Sequence, residues 1–343
     1  MISASKSPFR VDAFLRDSQH LFAWPASLQQ NLQSLQTTIL NNMLTCDLRL
    51  HACEAKEQAR EAARTVHGLP PHCDLVFGHS VTQLAEQFFL SFGSNLSIHT
   101  LHNEFFLYGL ISQKLDANFQ QYTALTGMST ALRKPKKACT CAILSAPNNP
   151  TSKDLEDAEL TELLEASDTP VIMDESYALF AKNPDKRIEL ISRYPNLILL
   201  RGTSKQGLPG LGFAYAILHK DQKEDYLDSR ISESISTLQA CAALSLFENY
   251  AKLEKLTKTL TAMREATAQM IGTQSPLLPH PSSCDFLVVE TAKMEPDPIV
   301  NRLTSFSIPA LSYGKLAGYT NCFKLFPAAY DQPETLIEVI NFQ

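Results

Sequence analysis

The chain has 343 residues, 44% of them apolar and 19% charged, which excludes a disordered polypeptide and leaves room for a large core and two domains. A formal net charge of -6 gives no broad electrostatic reason to bind nucleic acid or an anionic membrane. The eight cysteines are scattered without a C-x-x-C pair, so reduced thiols in a cytosolic protein are expected.

The first twenty residues lack the apolar core of a signal peptide, and no run reaches the roughly eighteen apolar residues of a membrane span. Residues 54–68 have helical composition and end at a glycine before a proline pair. A short strand over 74–78 leads through Gly78, His79 and Ser80 into a helix over 80–92. A strand over 96–100 and a helix over 104–115 follow. The basic run Arg133 to Lys137 is expected as a solvated loop. Residues 139–147 form an apolar strand ending in a turn. Cys139 and Cys141 share a face of it, and neither they nor His99 and His102 have the further ligands of a metal site. An amphipathic helix over 155–167, a strand over 170–176, a helix over 187–195 and a strand over 196–200 complete an alternating series. Its strands are continuous apolar runs, which indicates a mostly parallel sheet with helices on both faces. After about residue 225 the texture changes: 234–272 is nearly all helix. Strands over 283–291 and 322–326 then alternate with helices over 296–306 and 333–342. The expected division is an N-terminal arm over 1–28 that packs with the small domain, a large domain over 29–248 and a small α+β domain over 249–343.

In open α/β sheets, function gathers at the carboxyl ends of strands. Four such ends here carry polar groups: Ser80, Asn149, Asp174 with Tyr177, and Lys205. Each has an ordinary reading alone. Asn148-Asn149-Pro150 is a turn, Asp174 a helix cap, Lys205 a surface lysine. Together they suit one molecule. A lysine near apolar walls has a lowered pKa, and its neutral amine can attack an aldehyde to form a Schiff base. A buried acid can keep a pyridine nitrogen protonated, a phenol and an amide can donate to a phenolate, and a helix N-terminus can cradle a phosphate. Aldehyde, pyridine, phenolate and phosphate together make pyridoxal 5'-phosphate.

Three segments carry a family resemblance. "APNNPTS" is similar to N-P-N-N-P-T-G, "VIMDESYALF" to V-x-x-D-E-A-Y-x-x-F, and "TSKQGLPGLGFAYAI" to S-K-x-x-G-L-A-G-L-R-x-G-Y. The chain resembles the fold-type I pyridoxal-phosphate-dependent class I/II aminotransferases, nearest the histidinol-phosphate aminotransferase and threonine-phosphate decarboxylase branch. The resemblance implies an α/β large domain and a smaller α+β domain, with Lys205 as the covalent anchor and proton carrier. Asp174 would face the ring nitrogen, with Tyr177 and Asn149 on the phenolate oxygen. Ser204, Ser80, Val81 and Thr82 would hold the phosphate, and Phe105 would stack on the ring unless it is only core. A cytoplasmic homodimer acting on amino acids and 2-oxo acids is expected.

The departures fall at the charged ends. Gly212 stands where the family has an arginine for the phosphate, and Gly202 where it usually has a hydroxyl. Arg49 is a candidate cation from a partner subunit. Lys324 stands where the family binds the substrate carboxylate with arginine, and a lysine cannot make the planar two-bond fork. Transamination through Lys205 is therefore the first reading. A decarboxylase or lyase of the same fold, and a non-catalytic binding protein, are the alternatives.

Overall fold

The computed structural model describes residues 23–49, 52–133, 139–166, 168–228, 235–292, 294–316 and 319–341. The arm expected over 1–28 is thus described only from Ala23, and the basic run only at Arg133; the rest of each lies outside the described residues.

The larger sheet has seven strands in the order β1-β7-β6-β5-β4-β2-β3. They are β1 (Cys73–Gly78), β2 (Ser97–Leu101), β3 (Asn118–Tyr122), β4 (Thr140–Ser145), β5 (Val171–Asp174), β6 (Leu197–Gly202) and β7 (Ala214–His219). All neighbouring pairs are parallel except those of β7, which runs antiparallel to both β1 and β6. Between Gly202 and Ala214 the chain makes only short 3-10 turns. No helix carries it back across the sheet, so it returns antiparallel.

Side-chain alternation splits the core into two layers. On one face Leu75, Leu144, Met173, Leu199 and Ile217 pack with α1 (Ala26–Met43), α2 (Cys53–His67), α9 (Thr237–Glu248) and α10 (Tyr250–Gln274). On the other, Val76, Ile143, Ile172, Ile198 and Ala216 pack with α3 (Val81–Ser91) and α4 (Leu107–Lys114). Each of the larger side chains, from valine upward, contributes about 1.5–3 kcal/mol on burial.

Local signals set the helix ends. Gly68, at φ 57°, closes α2 in the left-handed conformation that a C-cap favours. Ser80 caps α3 by accepting the Gln83 N–H at 3.1 Å. The helical run after residue 234 is two helices that meet at Asn249, the first opened by a Ser236–Gln239 capping box. The helix expected over 187–195 shrinks to α7 (Leu190–Arg193), because Arg187 is drawn inward to Asp154 and Glu175. Among the elements with no counterpart in the sequence reading are α1, β3 and α5 (Leu125–Leu132). The remaining helices of this part are α6 (Asp157–Ala166) and α8 (Lys220–Asp228).

A second, antiparallel sheet has the order β10-β11-β9-β8, from β8 (Leu278–Pro279), β9 (Leu287–Glu290), β10 (Ala310–Leu316) and β11 (Tyr319–Leu325). Helices α11 (Pro296–Ser305) and α12 (Pro333–Asn341) accompany it, burying Leu303, Leu336 and Ile340. At the start of α1 the Ser27 N–H donates to Asp331 Oδ2 at 3.0 Å. Trp24 packs edge-on against Phe180.

The cysteine expectation is corrected at one pair. Cys46 and Cys241 form a disulfide, with Cα atoms 6.9 Å apart. The end of α1 lies against α9, where Asn42 donates to Ser245 Oγ at 2.8 Å, and this contact brings the two thiols together. Among the described residues no helix is long and apolar enough to cross a membrane.

Candidate active site

Because β7 is antiparallel to both neighbours, β1 and β6 run in the same direction. The carboxyl ends of β1, β2, β4, β5 and β6 therefore meet along one sheet edge. A cavity of about 440 Å³ opens there, within the range of roughly 300–1,000 Å³ usual for small-molecule sites. Nine of the ten residues chosen from the sequence line it: Ser80, Val81, Thr82, Phe105, Asn149, Asp174, Ser204, Lys205 and Lys324. The tenth, Tyr177, is buried with its ring 5.6 Å from Lys205 Nζ.

Asp174 is the best-fixed group. Its Oδ1 accepts from Ser176 N–H at 2.8 Å and from Ser176 Oγ at 2.6 Å, and its Oδ2 accepts from the Tyr108 hydroxyl at 2.5 Å. Burial raises its pKa against these donors. Three accepted bonds leave a carboxylate with capacity for one more. Behind it the consecutive Glu175 points the other way, into a buried ion network. Arg201 binds Glu175 Oε2 through Nε at 2.9 Å and Nη2 at 2.7 Å, and Arg187 reaches Glu175 Oε1 at 3.3 Å. Arg201 also binds Asp185 at 2.5 Å, and Asp185 in turn faces His67 Nδ1 at 3.1 Å.

Lys205 follows β6 and is reached from two sides. It lines the cavity of Asp174 and also a wider cleft of about 880 Å³ between α1 and residues 204–210. Burial pushes its ammonium below the ordinary lysine value, while Asp285 and Asp174 oppose the shift. Burial raises the Tyr177 pKa well above its ordinary value, so this phenol stays a donor.

At the opposite end the charges thin out. Ser80, Val81 and Thr82 open α3, whose first N–H groups have no partner within the helix. Gly202 lines the cavity beside them, and a Cβ there would meet Val81 Cγ2 at 3.0 Å. The absence of a side chain lets the start of α3 approach β6. Gly212 has φ 56°, a left-handed conformation that favours glycine over arginine. Gln239 covers it, donating to the Gly212 carbonyl at 2.7 Å and contacting His79 Nδ1 at 2.9 Å. Arg49 is 87% exposed and paired with Asp47 at 2.7 Å.

Lys324, from β11, enters the cavity from the smaller sheet and is only 4% exposed. Its Nζ lies 3.5 Å from the Phe286 ring centroid and donates to Asn149 Oδ1 at 3.4 Å. Burial pushes its pKa down to about 7, with Lys205 adding to the fall and Asp285 opposing it. The contact with Asn149 leaves that residue's Nδ2 for a ligand.

The sequence reading missed Tyr108, Ser176, Glu104 and Asp285. Tyr108 lies three positions after Phe105, one helical turn on, and that spacing could have signalled it. Asp285 lies in the turn before β9, and its link to Lys205 and Lys324 spans the two sheets, beyond any local pattern. The residues fit pyridoxal phosphate. A buried acid suits a pyridine nitrogen, and an amide suits a ring oxygen. Phe105 offers a flat face, Lys205 is desolvated, and Gly202 leaves a cradle that a Cβ would fill.

Known proteins resemble this chain in sequence and in fold. Residues 115–277 match the family Aminotransferase class I and II. The chain is 26% identical over 199 residues to histidinol-phosphate aminotransferase of Chlorobaculum tepidum, covering 58% of this chain and 56% of that enzyme. It is 22% identical over 293 residues to the enzyme of that name from Vesicomyosocius okutanii, covering 84% and 80%. In structure it is similar to histidinol-phosphate aminotransferase from Sinorhizobium meliloti in complex with pyridoxal-5'-phosphate, at TM-score 0.72 and 20% identity over 88% of this chain and 86% of that one. It is equally similar to L-threonine-O-3-phosphate decarboxylase from Porphyromonas gingivalis, at TM-score 0.72 and 16% identity over 93% and 96%. Residues 115–277 thus match the class I and II aminotransferase family, and over 88% of its length the chain has the fold of the similar structure from Sinorhizobium meliloti.

Proposed function

We propose that the chain is a pyridoxal-phosphate-dependent aminotransferase, moving an amino group between an amino acid or amine and a 2-oxo acid. The observation that carries this reading is the meeting of Lys205, Asp174, Asn149 and Phe105 in one cavity. Pyridoxal phosphate, when bound, supplies an electron sink for charge developed at the substrate α-carbon. Asp174, held by Ser176 and Tyr108, would keep a proton on the ring nitrogen. Phe105 would lie against the ring, with Asn149 and Tyr177 donating to the ring oxygen. Lys205 would hold the cofactor covalently, and its desolvated Nζ would take and return a proton at the substrate α-carbon. Ser80, Val81, Thr82 and Ser204 would bind the phosphate. Lys324 would meet the substrate carboxylate with a single charge. That single-point contact leaves the carboxylate free to turn, which favours decarboxylation as the second reading.

A cytoplasmic homodimer completes the proposal. Leu40, Leu44 and Leu48, 58%, 83% and 69% exposed, support a second copy as partner.

The test is an absorbance spectrum of the protein with added pyridoxal phosphate, beside Lys205→Ala. The expected result is a band near the visible edge that borohydride removes and that the variant lacks. Screening amino acids, with product analysis for released carbon dioxide, then separates the two reactions. No band at saturating cofactor sinks both and leaves a non-catalytic binding protein.

A further inference from the structure

Glu104 stands in the turn between β2 and α4. Its carboxyl faces the cavity of Asp174 and Lys205, and also a smaller cavity of about 240 Å³ behind it. Ser145 fixes it there: its N–H donates to Glu104 Oε2 at 3.0 Å, and its hydroxyl donates to the same oxygen. Ser145 is the residue paired with Asp174 across β4 and β5. The two carboxyls are therefore anchored at neighbouring strand ends. One helical turn beyond Glu104, Tyr108 gives its hydroxyl to Asp174 Oδ2. A glutamate in a short turn ordinarily extends into water; this one is turned inward beside a second acid.

We propose that Glu104 is a positioning residue of the cofactor site: acting through Asp174, its charge sets how firmly the cofactor ring nitrogen keeps its proton. The inference rests on the pyridoxal phosphate reading above. Ionised Glu104 makes the potential at Asp174 and at the ring nitrogen more negative, which favours the protonated ring. Neutral Glu104 releases that bias.

Glu104 is suited to change state in the working range. Burial pushes its pKa up to about 8, against the two donors of Ser145, and Asp174 adds to the rise. The groups that face it are Asp174 from β5, Tyr108 from α4 and Lys205 across the cavity. Behind it, His102, Lys153 and Asp154 line the smaller cavity. The site thus holds two acids with different tasks: Asp174 would meet the ring nitrogen, and Glu104 would set the field in which it does so.

The experiment uses pyridoxal phosphate labelled with nitrogen-15 in the ring, bound to the whole protein. The ring-nitrogen resonance is followed against pH, and cofactor affinity is measured by absorbance titration. In the wild type the resonance moves in a step near pH 8. Glu104→Gln removes that step and changes cofactor affinity by less than about threefold. Ser145→Ala withdraws one donor from the carboxylate, which moves the step to higher pH. The same step in Glu104→Gln, or an unmoved step in Ser145→Ala, overturns the proposal. Should Glu104→Gln fail to fold, Ser145→Ala decides alone. A wild type that binds no pyridoxal phosphate overturns the functional reading and this inference with it. Binding with an unchanged step overturns only the inference.

Discussion

The two ends of the cavity are built on different principles. At the ring end, Asp174 is held by three hydrogen bonds and backed by Glu175, whose carboxylate is held by Arg201 and Arg187. At the end proposed for the phosphate, the place of a family arginine is Gly212 in a left-handed turn, and the cavity is lined by neutral hydroxyls and the start of α3. The ring end is fixed by buried charge, the phosphate end by close backbone approach. The first fails when a charge loses its partner, the second when a side chain occupies the gap.

Three changes separate these designs. Glu175→Ala has the largest effect, because it leaves two buried guanidinium groups partly uncompensated. The expected loss is about 3–5 kcal/mol of stability, read by denaturant titration. A loss under about 1 kcal/mol would mean that the network is not a support of the ring end. Gly202→Val acts at the other end. Its side chain meets Val81 at the start of α3, so pyridoxal phosphate affinity should fall about tenfold while that for phosphate-free pyridoxal changes little. Equal losses for both would show that the gap does not serve the phosphate.

The smallest effect is acid sensitivity of the network. Burial lowers the His67 pKa, so the unfolded chain takes up a proton near pH 6.5 that the folded chain refuses. Asp185 is pushed upward by burial, but the His67 hydrogen bond and the Arg201 charge prevail and hold it at about 2. Folded pKa values below the unfolded ones mean that stability falls as pH falls, first through about 6.5 and again from about 4 toward 2. Calorimetric melting temperatures should follow that course. His67→Phe should lose the upper limb and weaken the lower one, since Asp185 then keeps only its pairing with Arg201.

Much of this site was legible in the chain. Asn149, Asp174 and Lys205 each stand just past an apolar strand, where a polar residue marks the end of the buried run. The alternation of strands and helices gave the layering for the same reason. Strand β7 shows in the sequence only as an apolar run, since its antiparallel direction follows from the lack of a crossover helix. Glu104 read as an ordinary first residue of a helix, and Ser176 as any serine at a strand end. Their meaning depends on Ser145 and Asp174, which reach them from other strands.

The sequence by itself determined which residues stand at the strand ends and which chemistry they could share, because hydrophobic runs and their polar stops are local. Only the tertiary structure decided that Lys324 is desolvated beside Phe286, that Cys46 meets Cys241, and that Glu104 turns inward toward Asp174. Burial and electric field are sums over neighbours far apart in the chain: Lys324 lies 175 residues from the Asn149 that accepts its hydrogen bond. Such sums are set by packing, and no local spacing encodes them.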